Sequence, residues 1–203
     1  VYKRQREDGV MNMVGYLAEY VSVDKNRVVV VDKKVPFAHA ALTEPLACCL
    51  HSVTKADIKI GDVVVIIGAG IMGLLHTQLA KKRGAYVIVA ELDSARREKA
   101  LACGADLAFE PTAEDAAAYV QKASKGRGAQ VVFNTTAVHA AWEQAFAMLA
   151  PFGKVVAYSS QHPDVPVPVS MGQVHSSQIE IVGTVSSNQQ DMYMAALSLI
   201  HIS

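Results

Sequence analysis

Cysteine is scarce. The 203 residues contain three, Cys48, Cys49 and Cys103, with no C-x-x-C pair. That excludes a disulfide framework and a thiolate zinc site readable from spacing. The adjacent Cys48 and Cys49 fall in a predicted helix, 44–52, and read as small packing groups. Such usage fits a reducing, cytoplasmic setting. An excess of one charge is also lacking: 19 basic residues stand against 19 acidic ones, with no run of Lys or Arg. No field for holding nucleic acid follows from that balance. The longest nearly uncharged stretch, Val63–Leu75, contains three glycines and falls short of the roughly 20 apolar residues needed to cross a bilayer. No membrane partner is expected, and the start lacks the charged and apolar regions of a secretory signal. What is present is a chain 51% apolar and 19% charged, enough for one full core and a piece of another.

The two ends mirror each other at the level of coding sequence. Val1-Tyr2-Lys3-Arg4-Gln5 can be encoded by GTG TAT AAG AGA CAG, whose reverse complement, CTG TCT CTT ATA CAC, reads Leu-Ser-Leu-Ile-His, the string at 197–201. An inverted repeat flanking an insert resembles a transposon-end adapter. Residues 1–5 and 197–203 are therefore expected to be adapter-encoded, with native sequence from near Arg6 to near Ala196.

From Val63 onward, short apolar runs alternate with segments of helical period, the pattern of a parallel sheet with crossover helices. Strands are predicted at 63–67, 86–91, 106–109, 130–134, 154–159 and 179–184, and helices at 71–83, 94–103, 113–124 and 137–149. Thr112 and Asp115 approximate a capping box, while Pro151 and Gly153 supply a stop after the last of these helices. Val63-Val64-Val65-Ile66-Ile67 is uninterrupted, as a strand buried on both faces requires. Upstream, Gly15–Asp32 carries the β-branched runs Tyr20–Val23 and Val28–Val31 without helical period, and strands of another domain are predicted there. Pro36, Pro45 and Gly61 punctuate the transition, which places a domain boundary near residue 50, between a segment 6–50 and a domain 51–196.

Gly68-Ala69-Gly70-Ile71-Met72-Gly73 reads G-x-G-x-x-G directly after an apolar strand and before a helix. The first glycine permits a tight turn, the second lets the backbone approach a pyrophosphate, and the third lets the helix pack closely on the strand. Amides at the helix start then face the phosphates, favoured by the helix dipole. A second strand ends in Glu91, near the spacing expected for a carboxylate on the adenosine ribose. Its charge would repel a 2′-phosphate, so NAD is expected over NADP. The fold class expected is α/β: a doubly wound parallel-sheet Rossmann domain.

Four strings carry a more specific resemblance: Gly15-Tyr16-Leu17-Ala18-Glu19-Tyr20, Thr43-Glu44-Pro45-Leu46-Ala47, Gly61-Asp62-Val63-Val64-Val65 and the glycine motif, in this order. In them the chain resembles an internal fragment of the zinc-type medium-chain dehydrogenases, in the polyol (sorbitol-like) or threonine dehydrogenase branch. The resemblance implies that 6–50 is the remnant of a β-rich GroES-like catalytic domain and that 51–196 binds NAD. It also implies hydride transfer between a small alcohol and nicotinamide, in a complete protein that forms a homo-oligomer, dimer or tetramer. Gly68, Gly70, Ile71, Met72 and Gly73 would lie in the loop under the dinucleotide, Glu91 on the ribose and Arg96 on the adenosine side. Ser159 and the segment Thr184–Ser186, with Val185, would line the nicotinamide. Without the resemblance, Arg96 reads as a helix-face charge beside Arg97.

Glu44 is the remaining position implied, at or near a catalytic zinc in the complete protein. Read by itself, Glu44 before Pro45 is a helix N-terminal acid favoured by the dipole. A zinc site that polarises an alcohol needs about three protein ligands and one open position, and this chain offers one candidate. His39, His51, His76, His139, His162 and His175 are scattered singly and read as core or surface histidines. Gln130, where the family often has an acid, and Asn134-Thr135-Thr136, where a glycine is common, depart from the pattern. Two rivals are a non-catalytic NAD-binding redox sensor and a zinc-free NADPH quinone reductase. Glu44 and Glu91 count against the second.

Overall fold

The computed structural model describes residues 19–20, 25, 28–112 and 115–200. They form two compact units, one of Cys48–Val185 and one joining the described residues up to Ala47 to those from Ser186 onward. The latter holds helix α1 (Phe37–Ala40), the start of α2 (Thr43–Ala56) and α8 (Gln189–Ile200). Asn188 and Asp191 cap α8 reciprocally, each backbone N–H donating to the other's side chain at 2.9 Å.

The larger unit is built on a parallel sheet. Its strands are β1 (Val63–Ile67), β2 (Tyr86–Ala90), β3 (Leu107–Phe109), β4 (Ala129–Asn134), β5 (Leu149–Ala157) and β6 (Glu180–Gly183). They lie in the order β3-β2-β1-β4-β5-β6, every neighbour parallel. Crossovers run through α3 (Ile71–Lys82), α4 (Ser94–Ala102), α5 (Ala116–Ala123), α6 (Ala140–Ala147) and α7 (Met171–Ser177). This is the doubly wound α/β architecture the sequence pattern predicts.

The unbroken Val and Ile runs explain the layering. Alternate residues of a strand point to opposite faces, so β1 sends Val64 and Ile66 to one core and Val63, Val65 and Ile67 to the other. The first core is closed by Val53 and Ala56 of α2, Ala80 of α3 and Ala100 of α4. The second is closed by Val120 of α5 and by Trp142 and Ala145 of α6. Each fully buried Val or Ile contributes about 1.5–3 kcal/mol, which is why a run without polar residues stays in the middle of the sheet. Gln130 supplies the acceptor at the start of β1, its Oε1 taking the N–H of Val63 at 2.8 Å. The amide thus fills an acceptor role that needs no charge.

Three expectations change. Helix α5 starts at Ala116 rather than 113, because Asp115 caps it by accepting from Ala118 N at 3.0 Å. Thr112 instead donates its hydroxyl to Glu110 Oε1. Pro151 and Gly153 do not stop a helix; they lie within β5, where the register shifts between Ala129 and Val131 of β4. Proline, lacking an N–H, is tolerated where the ladder is interrupted, and Phe152 there has φ of +62° and points outward. Val28–Val31 is not a strand. The six strands described lie between Val63 and Gly183, and this run pairs with none of them. The other predicted β-run, Tyr20–Val23, lies almost wholly outside the described residues, as does Gly15–Ala18. Among the described residues no helix is long and apolar enough to cross a membrane.

Asp106 ties α3 to the sheet. Its carboxylate accepts from the buried N–H of Val87 at 2.7 Å and from Lys81 Nζ at 2.7 and 2.9 Å. Asp106→Ala leaves the Val87 N–H without its acceptor, while Lys81 keeps the Ala85 carbonyl at 3.1 Å, and a lost acceptor of this kind costs about 1–3 kcal/mol. Urea unfolding is expected to give a lower midpoint with an unchanged slope; an unchanged midpoint would remove Asp106 from this role.

Candidate functional site

The strand order reverses beside β1, since β2 lies on one side of it and β4 on the other. A crevice at the carboxyl ends of the strands is the expected ligand position in such a sheet. The glycine loop crosses that point, and each glycine is there for a different reason. Gly68 has φ of +98°, and a Cβ on it would stand 2.8 Å from Thr136 Cγ2 and 3.0 Å from Thr135 Oγ1. At Gly73 a Cβ would be 2.0 Å from the carbonyl oxygen of Gly68, so α3 rests on the loop with no space for a side chain. Gly70 is the opposite case. Its φ of −69° suits any residue, and a Cβ there would meet no protein atom within 4 Å. The space in front of Gly70 is open, at the start of α3, where no side chain caps the helix.

An uncapped α-helix leaves its first N–H groups without intrahelical partners and carries about half a positive charge at that end. An anion seated before Gly70 would receive both. Thr135 closes the floor of the crevice, its N–H and hydroxyl both donating to the carbonyl of Ile67, at 3.1 and 2.7 Å. From the sequence, Thr135 registers only as a departure from a glycine.

Glu91 follows β2 and is 9% exposed, which rules out a merely solvated acid. Oε2 accepts from the N–H of Ala69 at 2.7 Å, within the glycine loop, and Oε1 accepts from Asp93 N at 3.0 Å. A buried carboxylate needs such donors, and these two tie the ends of β1 and β2 together. Arg97, to which the sequence assigned no role, braces the same turn by donating to the carbonyls of Glu91 and Leu92 at 2.8 and 2.6 Å. Arg96 has its backbone N–H held by Asp93 at 2.9 Å while its side chain is exposed.

Ser159 is half-buried just after β5. Thr184, just after β6, donates its N–H to Ala157 O at 3.1 Å, and Val185 beside it is exposed. The glycine loop, Glu91, Ser159, Thr184 and Val185 thus all follow carboxyl ends of strands in one sheet. Glu44 is exposed in the first turn of α2 and belongs to the other unit. Among the described residues no three His, Cys, Asp or Glu side chains come together to hold a metal, so those residues alone do not fit a zinc. A groove of about 490 Å3 between β3 and α5, lined by Leu107, Tyr119 and Lys122 among others, includes no residue of the glycine loop.

Beneath the loop lies a residue the sequence did not distinguish. His76 is fully buried in α3, with Nδ1 2.8 Å from the carbonyl of Met72 and Nε2 3.1 Å from Ser52 Oγ. The rings of Phe133 and Tyr158 pack on it at 4.8 and 4.5 Å. Burial pushes its imidazole down to about 4, against the opposing pull of the Met72 hydrogen bond.

The fold and the glycine loop are those of a Rossmann-like α/β domain. The family model for zinc-binding dehydrogenases matches residues 72–201, and the chain belongs to that family. It is 32% identical over 174 residues to (R,R)-butanediol dehydrogenase of Neisseria gonorrhoeae, covering 85% of this chain and 48% of the relative. It is also 32% identical over 189 residues to sorbitol dehydrogenase of Halalkalibacterium halodurans, covering 92% and 54%. A zinc-binding dehydrogenase from Sinorhizobium meliloti, solved with NADP bound, superposes with a TM-score of 0.78 at 27% identity, covering 84% of this chain and 51% of that one. The chain therefore spans about half the length of the relatives it matches.

The buried histidine makes stability depend on acid. Its folded value lies below the ordinary 6.5, so as pH falls the unfolded chain takes the proton first. The contribution is complete above about pH 6.5 and is lost as pH falls towards about 4, roughly 3 kcal/mol over that window. The difference in unfolding free energy between wild type and His76→Asn should shrink over the same window. A difference that stays constant with pH would contradict a neutral buried imidazole.

Proposed function

We propose that this chain is the cofactor-holding part of an NAD-dependent alcohol dehydrogenase that acts on a polyol or another small secondary alcohol. The observation that carries the reading is the open space before Gly70, at the uncapped start of α3, with a buried carboxylate bonded into the same loop. In this reading the amides at the start of α3 hold the pyrophosphate, and Gly70 leaves room for it. Glu91 accepts the hydroxyls of the adenosine ribose with lone pairs that Ala69 and Asp93 do not use. Arg96 reaches the adenosine side from its exposed position on α4, and Ile71 and Met72 bound the dinucleotide from below. Ser159, Thr184 and Val185 line the nicotinamide end. When bound, NAD supplies the hydride acceptor.

Glu44 is the residue we propose for a zinc in the complete protein. Since the described residues assemble no group of three ligands, no metal-dependent step is assigned to them, and the chain alone is proposed to bind dinucleotide without oxidising alcohol. The edge strand β6 exposes Ile181, and an exposed apolar edge favours pairing with another chain. A second copy is the proposed partner, and a strict monomer of the complete protein in light scattering would contradict this.

The NADP bound by the Sinorhizobium protein makes the choice of cofactor the part to test. A carboxylate with little access to water faces a 2′-phosphate unfavourably, because the charges are poorly screened there. Titration of the purified chain is expected to give NAD a lower Kd than NADP by about tenfold or more, or about 1.4 kcal/mol. Glu91→Gln keeps an acceptor for Ala69 N and removes the charge, so it should narrow the gap. Equal or tighter binding of NADP by the wild type would overturn the assignment.

A further inference from the structure

His76 takes no part in the scheme above, yet it is a fully buried titratable group one helical turn below the glycine loop. A carbonyl oxygen can only accept, so the 2.8 Å contact with Met72 requires the proton on Nδ1. Nε2 of the neutral ring is then an acceptor, and Ser52, itself fully buried, donates to it at 3.1 Å. This tautomer satisfies both ring nitrogens. Phe133 of β4 packs tilted on the ring, and Tyr158, just after β5, meets it edge-on, which leaves the side chain little freedom to change rotamer. Cys49 approaches the same carbonyl, its Sγ 3.8 Å from Met72 O.

The Met72 carbonyl belongs to the peptide plane whose other end is the N–H of Gly73. A trans peptide is planar, so its carbonyl and its N–H point in opposite directions. Gly73 is the third residue of α3, and its N–H is one of the early amides that an intrahelical carbonyl does not reach. Within α3 the Met72 oxygen also accepts the backbone N–H of His76, and Nδ1–H adds a second donor that narrows the direction in which the Gly73 amide points.

We propose that His76 is a positioning residue for the dinucleotide: as the Nδ1-protonated neutral imidazole it pins the Met72 carbonyl and aims the Gly73 amide at the cofactor phosphates. This rests on the reading that the start of α3 holds the pyrophosphate. The hydrogen bond from an amide to a phosphate is charge-assisted, so an amide turned away from its phosphate weakens binding by about tenfold or more.

The test uses the purified chain with NADH as the probe, comparing wild type with His76→Phe, His76→Asn and Ser52→Ala. His76→Phe keeps an aromatic ring and removes both nitrogens, and NADH should bind about tenfold more weakly. Asparagine places its amide nitrogen about where Nδ1 stands, so His76→Asn should recover affinity to within about threefold of wild type. Ser52→Ala leaves Met72 pinned and should change the Kd less than about threefold, even if thermal stability falls. In wild type labelled with 15N-histidine, the His76 signals should report a protonated Nδ1 and a bare Nε2. The Gly73 amide signal should shift on addition of NADH and should shift less in His76→Phe.

The proposal is overturned if His76→Phe binds like wild type, if His76→Asn is as weak as His76→Phe, or if Nε2 carries the proton. Should His76→Phe fail to fold, His76→Gln takes its place: its longer amide reaches towards Ser52 rather than Met72, and it should bind NADH about tenfold more weakly than His76→Asn. Wild type that binds no NADH removes the dinucleotide reading and this proposal together. Wild type that binds while the variants do not differ removes only the proposal.

Discussion

Helix α3 can rest on the end of β1 only because position 73 has no side chain. A Cβ there would lie 2.0 Å from the Gly68 oxygen, well inside van der Waals contact, and α3 would have to move off the loop. That close approach sets the start of the helix over the carboxyl end of the sheet. The open space before Gly70, the bond from Ala69 to Glu91 and the bracing of Met72 by His76 are all consequences of it. The sheet contributes rigidity: β1 is buried on both faces and hydrogen-bonded to β2 and β4. A loop anchored to such a strand has few ways to relax away from a ligand.

Glu91 and His76 hold this loop from two sides by different means. The carboxylate takes an N–H from the loop directly, so that hydrogen bond is in place before any ligand arrives. The imidazole works from inside the core, through a carbonyl of the first helical turn. Both are buried polar groups with hydrogen-bond partners, Glu91 on two backbone N–H groups and His76 on the Met72 carbonyl and the Ser52 hydroxyl, which keeps them from penalising the fold. A dinucleotide held here as proposed would spend no binding energy on ordering the loop.

Much of this was legible in the sequence, for physical reasons. Unbroken Val and Ile runs can only be strands covered on both faces, and β1, β2 and β4 fall within a residue of the expected positions. The glycine spacing between strand and helix identified the loop, and Glu91 followed from its distance along the chain. The bulge in β5 was not legible, since Pro151 and Gly153 are also what ends a helix, and only the register with β4 separates the two. Asp115 and Thr112 both looked like caps, and the choice depended on Glu110 offering Thr112 a better partner. His76 was read as a scattered histidine because Ser52 lies 24 residues away on another helix. Arg97 went unassigned for the same reason: local sequence does not say which guanidinium turns back to the carbonyls of Glu91 and Leu92.

The account rests on the space before Gly70 being kept for a phosphate rather than for the fold. Because a Cβ at position 70 meets no protein atom within 4 Å and φ there suits any residue, Gly70→Val should fold almost as well as wild type, losing no more than about 1 kcal/mol through the weaker N-cap. Calorimetric titration with NADH, alongside thermal unfolding of the same samples, measures this directly. The expected result is a melting temperature within a few degrees of wild type and binding weakened beyond detection. Undiminished NADH binding by Gly70→Val would contradict it.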